Sequence, residues 1–97
     1  MKTIHVNEIA EAVKKICMDA NYDLGKDVLE AFRTGKEKEE SPMGRAILEL
    51  LEENARIARE EQVPMCQDTG TAVLFVELGQ DVHIEGGLLV DAVNEGV

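Results

Sequence analysis

Apolar side chains recur at three- and four-residue steps through the first 62 residues, which predicts a layer of about three helices. The first helix should begin after Asn7, whose side chain suits an N-cap. Its apolar face comprises Ile9, Val13, Ile16, Cys17 and Ala20. A second, shorter helix is predicted over about 26–33, with Val28, Leu29 and Phe32 as its stripe.

The third helix has the clearest start signal, because Ser41 is a good N-cap and Pro42 suits the first helical position. Pro64 disfavours helical backbone at Val63, so this helix should end by that residue. Its apolar positions are spaced for one buried face: Ala46, Ile47, Leu50, Leu51, Ala55 and Ala58. Residues 34–40 are dense in charge, which favours a solvated connection over a docking patch.

Beyond residue 71 the periodicity changes. Residues 72–76 form a continuous apolar run rich in strand formers, which is typical of a strand buried on both faces. A turn at 79–81 and an alternating segment at 82–84 predict a hairpin. The apolar residues that follow Gly87 predict a last short helix.

We therefore predict an α+β fold in which residues 1–62 are helical, 63–71 are a loop, 72–84 are a β-hairpin and 86–97 are a short helix. Two strands are marginal alone, and a doubly buried strand needs more neighbours than this sequence offers. We expect one N-terminal region of a larger domain, or a subunit that borrows its partners. Exposed apolar surface at 72–76 should drive dimerisation or borrowed strand pairing.

Composition narrows the classes of protein to which this chain can belong. The 97 residues are 44% hydrophobic, enough for a single small core, and their net charge of −10 opposes binding to a phosphate backbone. No apolar run approaches the roughly 18–20 residues that cross a bilayer, and the N-terminus has no signal-peptide pattern. Cys17 and Cys66 are far apart and form no CxxC motif, which favours a reducing cytoplasm.

The candidate chemistry is concentrated in residues 63–72, which place a thiol, an amide, a carboxylate, two hydroxyls and a glycine between a helix and a strand. Taken alone, Cys66 is a nucleophile, a metal or cluster ligand, or a packed thiol. Neither His5 nor His83 stands at a recognisable spacing for a catalytic base, and the two histidines and two cysteines do not match a zinc-ligand spacing. His83 is more simply a surface residue, and Cys17 a packed one.

The string Pro64-Met65-Cys66-Gln67-Asp68-Thr69-Gly70-Thr71-Ala72, followed by an apolar run and Gly-Gln-Asp-Val, resembles the N-terminal part of the class I fumarate hydratase family. These are oxygen-sensitive iron–sulfur hydro-lyases, and they include the alpha subunit of L-tartrate dehydratase. The likeness covers most of the chain, from the helices that precede the loop to residues 91–97.

The resemblance implies a 4Fe–4S cluster held by three thiolates, with Cys66 as the first of these ligands. It implies that Gln67 and Asp68 contact a small dicarboxylate substrate, and it gives Asp68 a catalytic role in proton handling. Thr69, Gly70 and Thr71 would shape the turn, with Gly70 at positive φ. Reversible addition or removal of water is the implied reaction.

The other two cluster ligands and the pocket's cations are expected outside these residues, in later segments or in a beta subunit or C-terminal domain. We therefore expect a homo- or hetero-oligomer, with this chain inactive and cluster-free alone. The alternative is a non-catalytic subunit-interaction module whose loop at Asp68-Thr69-Gly70 is only a turn.

Overall fold

A computed structural model describes residues 1–66 and 70–97 of the chain. The elements in order are β1 (Lys2–His5), α1 (Val6–Tyr22), α2 (Lys26–Lys38), α3 (Pro42–Glu61), β2 (Val82–Glu85) and α4 (Leu89–Gly96). The predicted α+β class is confirmed. The prediction that residues 1–62 are helical is wrong at the start of the chain, because Lys2–His5 pair with a second strand. Helix α1 begins at Val6, so Asn7 is not its N-cap. The chain divides into unit 1, residues 1–19 with 70–97, and unit 2, residues 20–69. None of the helices in the described ranges combines the length and apolarity that a membrane crossing requires.

Unit 2 is built on the helical hairpin of α2 and α3. Helix α2 continues to Lys38, so the prediction of a solvated connection over 34–40 is wrong for most of that segment. Lysine and glutamate favour helix, which offsets the roughly 1 kcal/mol that Gly35 costs in a helix interior. Gly35 also lies against α3, because a Cβ added there would be 3.6 Å from Leu48 Cδ1.

The predicted bounds of α3 are confirmed at both ends. Ser41 is the N-cap, and its Oγ accepts a hydrogen bond from the Gly44 N–H at 3.3 Å, with Pro42 at the first helical position. The helix ends at Glu61, before Pro64. This cap satisfies one of the backbone donors that a helix start leaves without a partner.

The predicted buried face of α3 is only partly formed. Ala55 and Ala58 are buried, whereas Ile47, Leu50 and Leu51 are exposed, with 69% of Leu50 accessible. Within unit 2 the helix packs on α2, and a single neighbouring helix covers only part of such a stripe. Unit 2 therefore presents an uncovered apolar strip along its longest helix.

Unit 1 contains a two-stranded parallel sheet of β1 and β2, with register from Lys2 opposite Val82 to His5 opposite Glu85. The strand predicted at 82–84 is confirmed, but the predicted hairpin is wrong, because β2 pairs with the N-terminal strand instead. Residues 72–76 form no strand, and Phe75 is 96% exposed. Strand-forming residues favour a strand mainly because their side chains pack well on the surface of a sheet. The apolar run at 72–76 pairs with no strand in the described part of the chain, so its composition alone does not make it a strand.

The last predicted helix is confirmed as α4, which packs closely on the first part of α1. Val13 and Ala92 are buried there. A Cβ added to Gly96 would lie 2.6 Å from both the Ala10 carbonyl oxygen and Val13 Cβ, so only glycine fits at this approach. An open apolar groove of about 340 Å³ also lies in unit 1, lined partly by Ile4, Val13, Phe75, Ile84 and Val93.

Candidate functional site

The polypeptide turns sharply at the end of α3. Gln62 has left-handed backbone with φ 55°, and its N–H donates to the Ala58 carbonyl oxygen. The Val63 N–H donates to the same oxygen at 3.2 Å, and the Gln62 side-chain amide donates to the Arg59 carbonyl oxygen at 2.8 Å. These bonds give partners to carbonyl oxygens that would otherwise have no hydrogen bond at the helix end.

Both backbone polar groups of Met65 are held by asparagines of unit 2. The Met65 N–H donates to the Asn21 carbonyl oxygen at 3.0 Å, at the end of α1. The Asn54 side-chain amide donates to the Met65 carbonyl oxygen at 2.9 Å, from the middle of α3. The residue before Cys66 is therefore fixed to two different helices.

Neither asparagine was identified from the sequence as a site residue. The available signal is Asn54 itself, because asparagine is a weak helix former that occurs in helix interiors when its side chain has another partner.

Cys66 is exposed, whereas Cys17 is half-buried on α1. An exposed thiol directly after a fixed residue is accessible to a metal or an electrophile. Cys17 is less exposed, in line with its prediction as a packing residue. The other predicted site residues, Gln67 and Asp68, lie outside the described residues, and so does Thr69.

Gly70 is the next described residue and has φ 63°, which confirms the predicted positive φ. Residues other than glycine are strained at positive φ. A Cβ added at Gly70 would have no atom within 4 Å, so backbone conformation is what favours glycine at this position.

The two histidines are in unit 1. His83 is exposed on β2, as predicted, opposite Thr3 of β1. His5 Nδ1 accepts a hydrogen bond from the Asn7 N–H at 3.0 Å. Across residues 1–66 and 70–97, no three histidine, cysteine, aspartate or glutamate side chains form a group that could hold a metal ion.

The positive charges of unit 2 are largely neutralised where they gather. A cleft of about 370 Å³ between α2 and α3 is lined by Arg33, Lys36, Arg56 and Arg59 together with carboxylates. Lys36 pairs with Glu52 at 2.9 Å, Arg56 pairs with two glutamates, and Arg33 does likewise. Paired cations of this kind are poorly available to an anionic substrate.

Glu53 and Arg56 form an ion pair on the exposed side of α3. A hydrogen bond from Arg56 lowers the pKa of Glu53 from its usual value. The same contact, with Glu60 close by, raises the pKa of the Arg56 guanidinium. Both residues are helical neighbours, so this pair stabilises α3 locally and does not mark a proton-transfer site.

Comparison with known proteins identifies the protein family of this chain. Residues 10–97 match the family model described as fumarate hydratase (Fumerase). The chain therefore belongs to the fumarate hydratase family, which agrees with the resemblance of its loop sequence. No solved structure gives a significant match.

The curated relatives are alpha subunits of tartrate dehydratase. The chain is 32% identical over 91 residues to a "Putative L(+)-tartrate dehydratase subunit alpha" of Methanocaldococcus jannaschii, a match that covers 93% of this chain and 32% of that protein. It is 31% identical over 83 residues to the L(+)-tartrate dehydratase subunit alpha of Escherichia coli K12, over 86% of this chain and 27% of that protein. The chain thus spans about a third of the length of the relatives it matches.

Proposed function

We propose that this chain supplies one wall of the active site of an iron–sulfur hydro-lyase of the fumarate hydratase or tartrate dehydratase type. The observation that carries the proposal is the exposed Cys66 thiol, which follows a residue fixed to two helices in a chain of the fumarate hydratase family. The reaction is reversible addition or removal of water at a small dicarboxylate.

The Cys66 thiolate would be one ligand of a 4Fe–4S cluster. Thiolate is the usual ligand of such clusters, and an exposed sulfur can bind iron without rearrangement of a packed core. When bound, the cluster supplies a Lewis acid at an iron with an open position. The described residues offer no complete ligand set, so the remaining thiolates would come from further segments or a partner.

Gln67 and Asp68 would contact the substrate beside that sulfur. An amide N–H can donate to a substrate carboxylate, and a carboxylate can accept a hydrogen bond from a substrate hydroxyl. Asp68 would also hold or move a proton during hydration. The net charge of −10 opposes capture of a dianion by this chain alone, which supports a requirement for cations from a beta subunit or C-terminal domain.

Assembly is supported by the amount of uncovered apolar surface. Leu50 on α3 and Phe75 in the segment before β2 are both largely exposed. Exposed apolar patches of this kind mark interaction surfaces. We propose a cytoplasmic oligomer in which this chain is inactive and cluster-free until it is assembled.

The test is anaerobic reconstitution of the complete assembly that contains this chain, with Cys66→Ser compared to Cys17→Ser as a matched control. We expect Cys66→Ser to lose iron–sulfur absorbance and hydration activity, and Cys17→Ser to keep both. If Cys66→Ser keeps its spectrum and activity, the chain is a non-catalytic interaction module, and the loop is only a structural turn.

A further inference from the structure

We infer that Asn54 is a positioning residue, which orients the peptide bond that enters Cys66 and so presets the direction of the thiolate. The inference rests on the proposed function of Cys66 as a cluster ligand. It concerns a residue of α3 that is eleven positions from Met65, the residue it holds.

The covalent geometry explains how a side chain on α3 can act on Cys66. The Met65 carbonyl and the Cys66 N–H belong to one planar peptide unit. A hydrogen bond of 2.9 Å from Asn54 Nδ2 to the Met65 oxygen therefore restrains the plane that carries the Cys66 nitrogen and Cα. The Met65 N–H, held by the Asn21 carbonyl at 3.0 Å, restrains the preceding plane.

Asparagine at position 54 is not explained by the stability of α3 itself. In a helix interior it is less favourable than alanine by up to about 0.7 kcal/mol, because its amide competes for backbone groups. Its side chain is exposed, and it donates outside its own helix. The contact it makes is therefore directed at the loop.

The Asn54 side-chain amide suits this role because it is uncharged as well as because of its shape. The proposed Cys66 thiolate is itself anionic. A neutral donor at position 54 holds the Met65 carbonyl without adding a negative charge close to that thiolate. Asn54→Asp keeps the shape, replaces the donor with an acceptor and adds a charge, so it should both release Met65 and repel the thiolate.

Partners that hold a metal ligand in place typically change metal affinity or activity by about 10–100-fold when they are removed. We expect Asn54→Asp and Asn54→Ala to reconstitute a cluster that is lost about 10–100-fold faster to a chelator under anaerobic conditions. Asn94→Asp, the same change at an exposed asparagine of α4, is the matched control and should leave the rate unchanged.

A second measurement examines the positioning directly, in this chain without any cluster. Hydrogen exchange at the Met65 amide, which is bonded to the Asn21 carbonyl, should accelerate in Asn54→Ala and stay as in the native chain in Asn94→Ala. Unchanged exchange in Asn54→Ala would overturn the inference. So would a cluster-loss rate equal to that of the native assembly, even with a lowered melting temperature, because that pattern describes a purely structural role.

The two proposals fail in different ways. If Cys66→Ser retains the cluster, the proposed function fails and the Asn54 inference fails with it, even where amide exchange responds to Asn54→Ala. If Cys66→Ser loses the cluster but the Asn54 variants behave like the control, the proposed function stands and only the role of Asn54 is overturned.

Discussion

Lys36 of α2 and Glu52 of α3 form an ion pair of 2.9 Å that joins the two helices of unit 2, and both side chains are about one-third exposed. The other ion pairs of the described residues join side chains three or four positions apart within one helix. Lys36–Glu52 is thus an ion pair between helices, and it reports directly on the packing of α2 against α3.

A double-mutant cycle with Lys36→Met and Glu52→Gln should give a coupling of about 0.2–1 kcal/mol in the free energy of unfolding, measured by urea denaturation. The coupling should fall in high salt, because part of the pair is open to solvent. The exposed Lys15–Asp19 pair of α1 is the control and should couple more weakly. Equal coupling for the two pairs would contradict the importance assigned to Lys36–Glu52.

Replacement of Gly96 should destabilise the chain. Intrinsic helix propensity favours alanine over glycine by about 1 kcal/mol. At Gly96, however, an added Cβ would lie 2.6 Å from Ala10 O and Val13 Cβ, and overpacking of this kind costs about 1–3 kcal/mol. We expect Gly96→Ala to lower the melting temperature of the chain.

Gly79→Ala is the matched control for that substitution. The nearest atom to a Cβ at Gly79 is Val82 Cγ2 at 3.6 Å, which is an ordinary contact. This variant should therefore melt close to the native chain. A Gly96→Ala protein at least as stable as Gly79→Ala would show that α4 does not pack closely on α1.

The Glu53–Arg56 contact predicts a specific pH response. The folded-state pKa of Glu53 is depressed, so its contribution to stability is present above the unfolded pKa and is lost as pH falls through the folded value. Arg56→Gln should raise the pKa of Glu53 toward its usual value, as measured by carboxyl NMR titration. Arg59→Gln on the same helix is the control, and a pKa of Glu53 that ignores Arg56→Gln would refute this contact.

Phe75 should contribute to self-association of the isolated chain. It is 96% exposed in an apolar segment, and its removal from water is favourable. Phe75→Glu should shift sedimentation at high concentration toward the monomer. Met43→Glu, on an exposed residue of α3, distinguishes this segment from general apolar exposure. A native chain that is already monomeric at high concentration would contradict the prediction.

The helices were largely predictable because their signals are local. Ser41, Pro42 and Pro64 define α3 through backbone chemistry that does not depend on the rest of the fold. The predicted α2 ends too early, because the charged residues after Arg33 continue the helix and Gly35 within them lies against Leu48 of α3. That contact is between helices, and no periodicity within α2 reveals it.

The sheet was not predictable from local pattern. Residues 72–76 have stronger strand propensity than β1, yet β1 is the strand that pairs with β2. Pairing depends on which segments meet in space, and that information is not contained in either segment alone. At the candidate site, Cys66 is predicted from its residue type and from the family resemblance of the surrounding sequence. The contacts of Asn21 and Asn54 with Met65 become visible only in the folded backbone.

The register of Lys2 with Val82 has a consequence for the order in which this chain acquires its structure. During synthesis β1 emerges first and stays without its neighbour until the segment that contains Val82–Glu85 has also been made. Closing so long a loop is entropically unfavourable, whereas α2 and α3 need only each other. We therefore expect the helical hairpin to form early and the sheet to form last, so that truncation before residue 82 leaves β1 permanently unpaired.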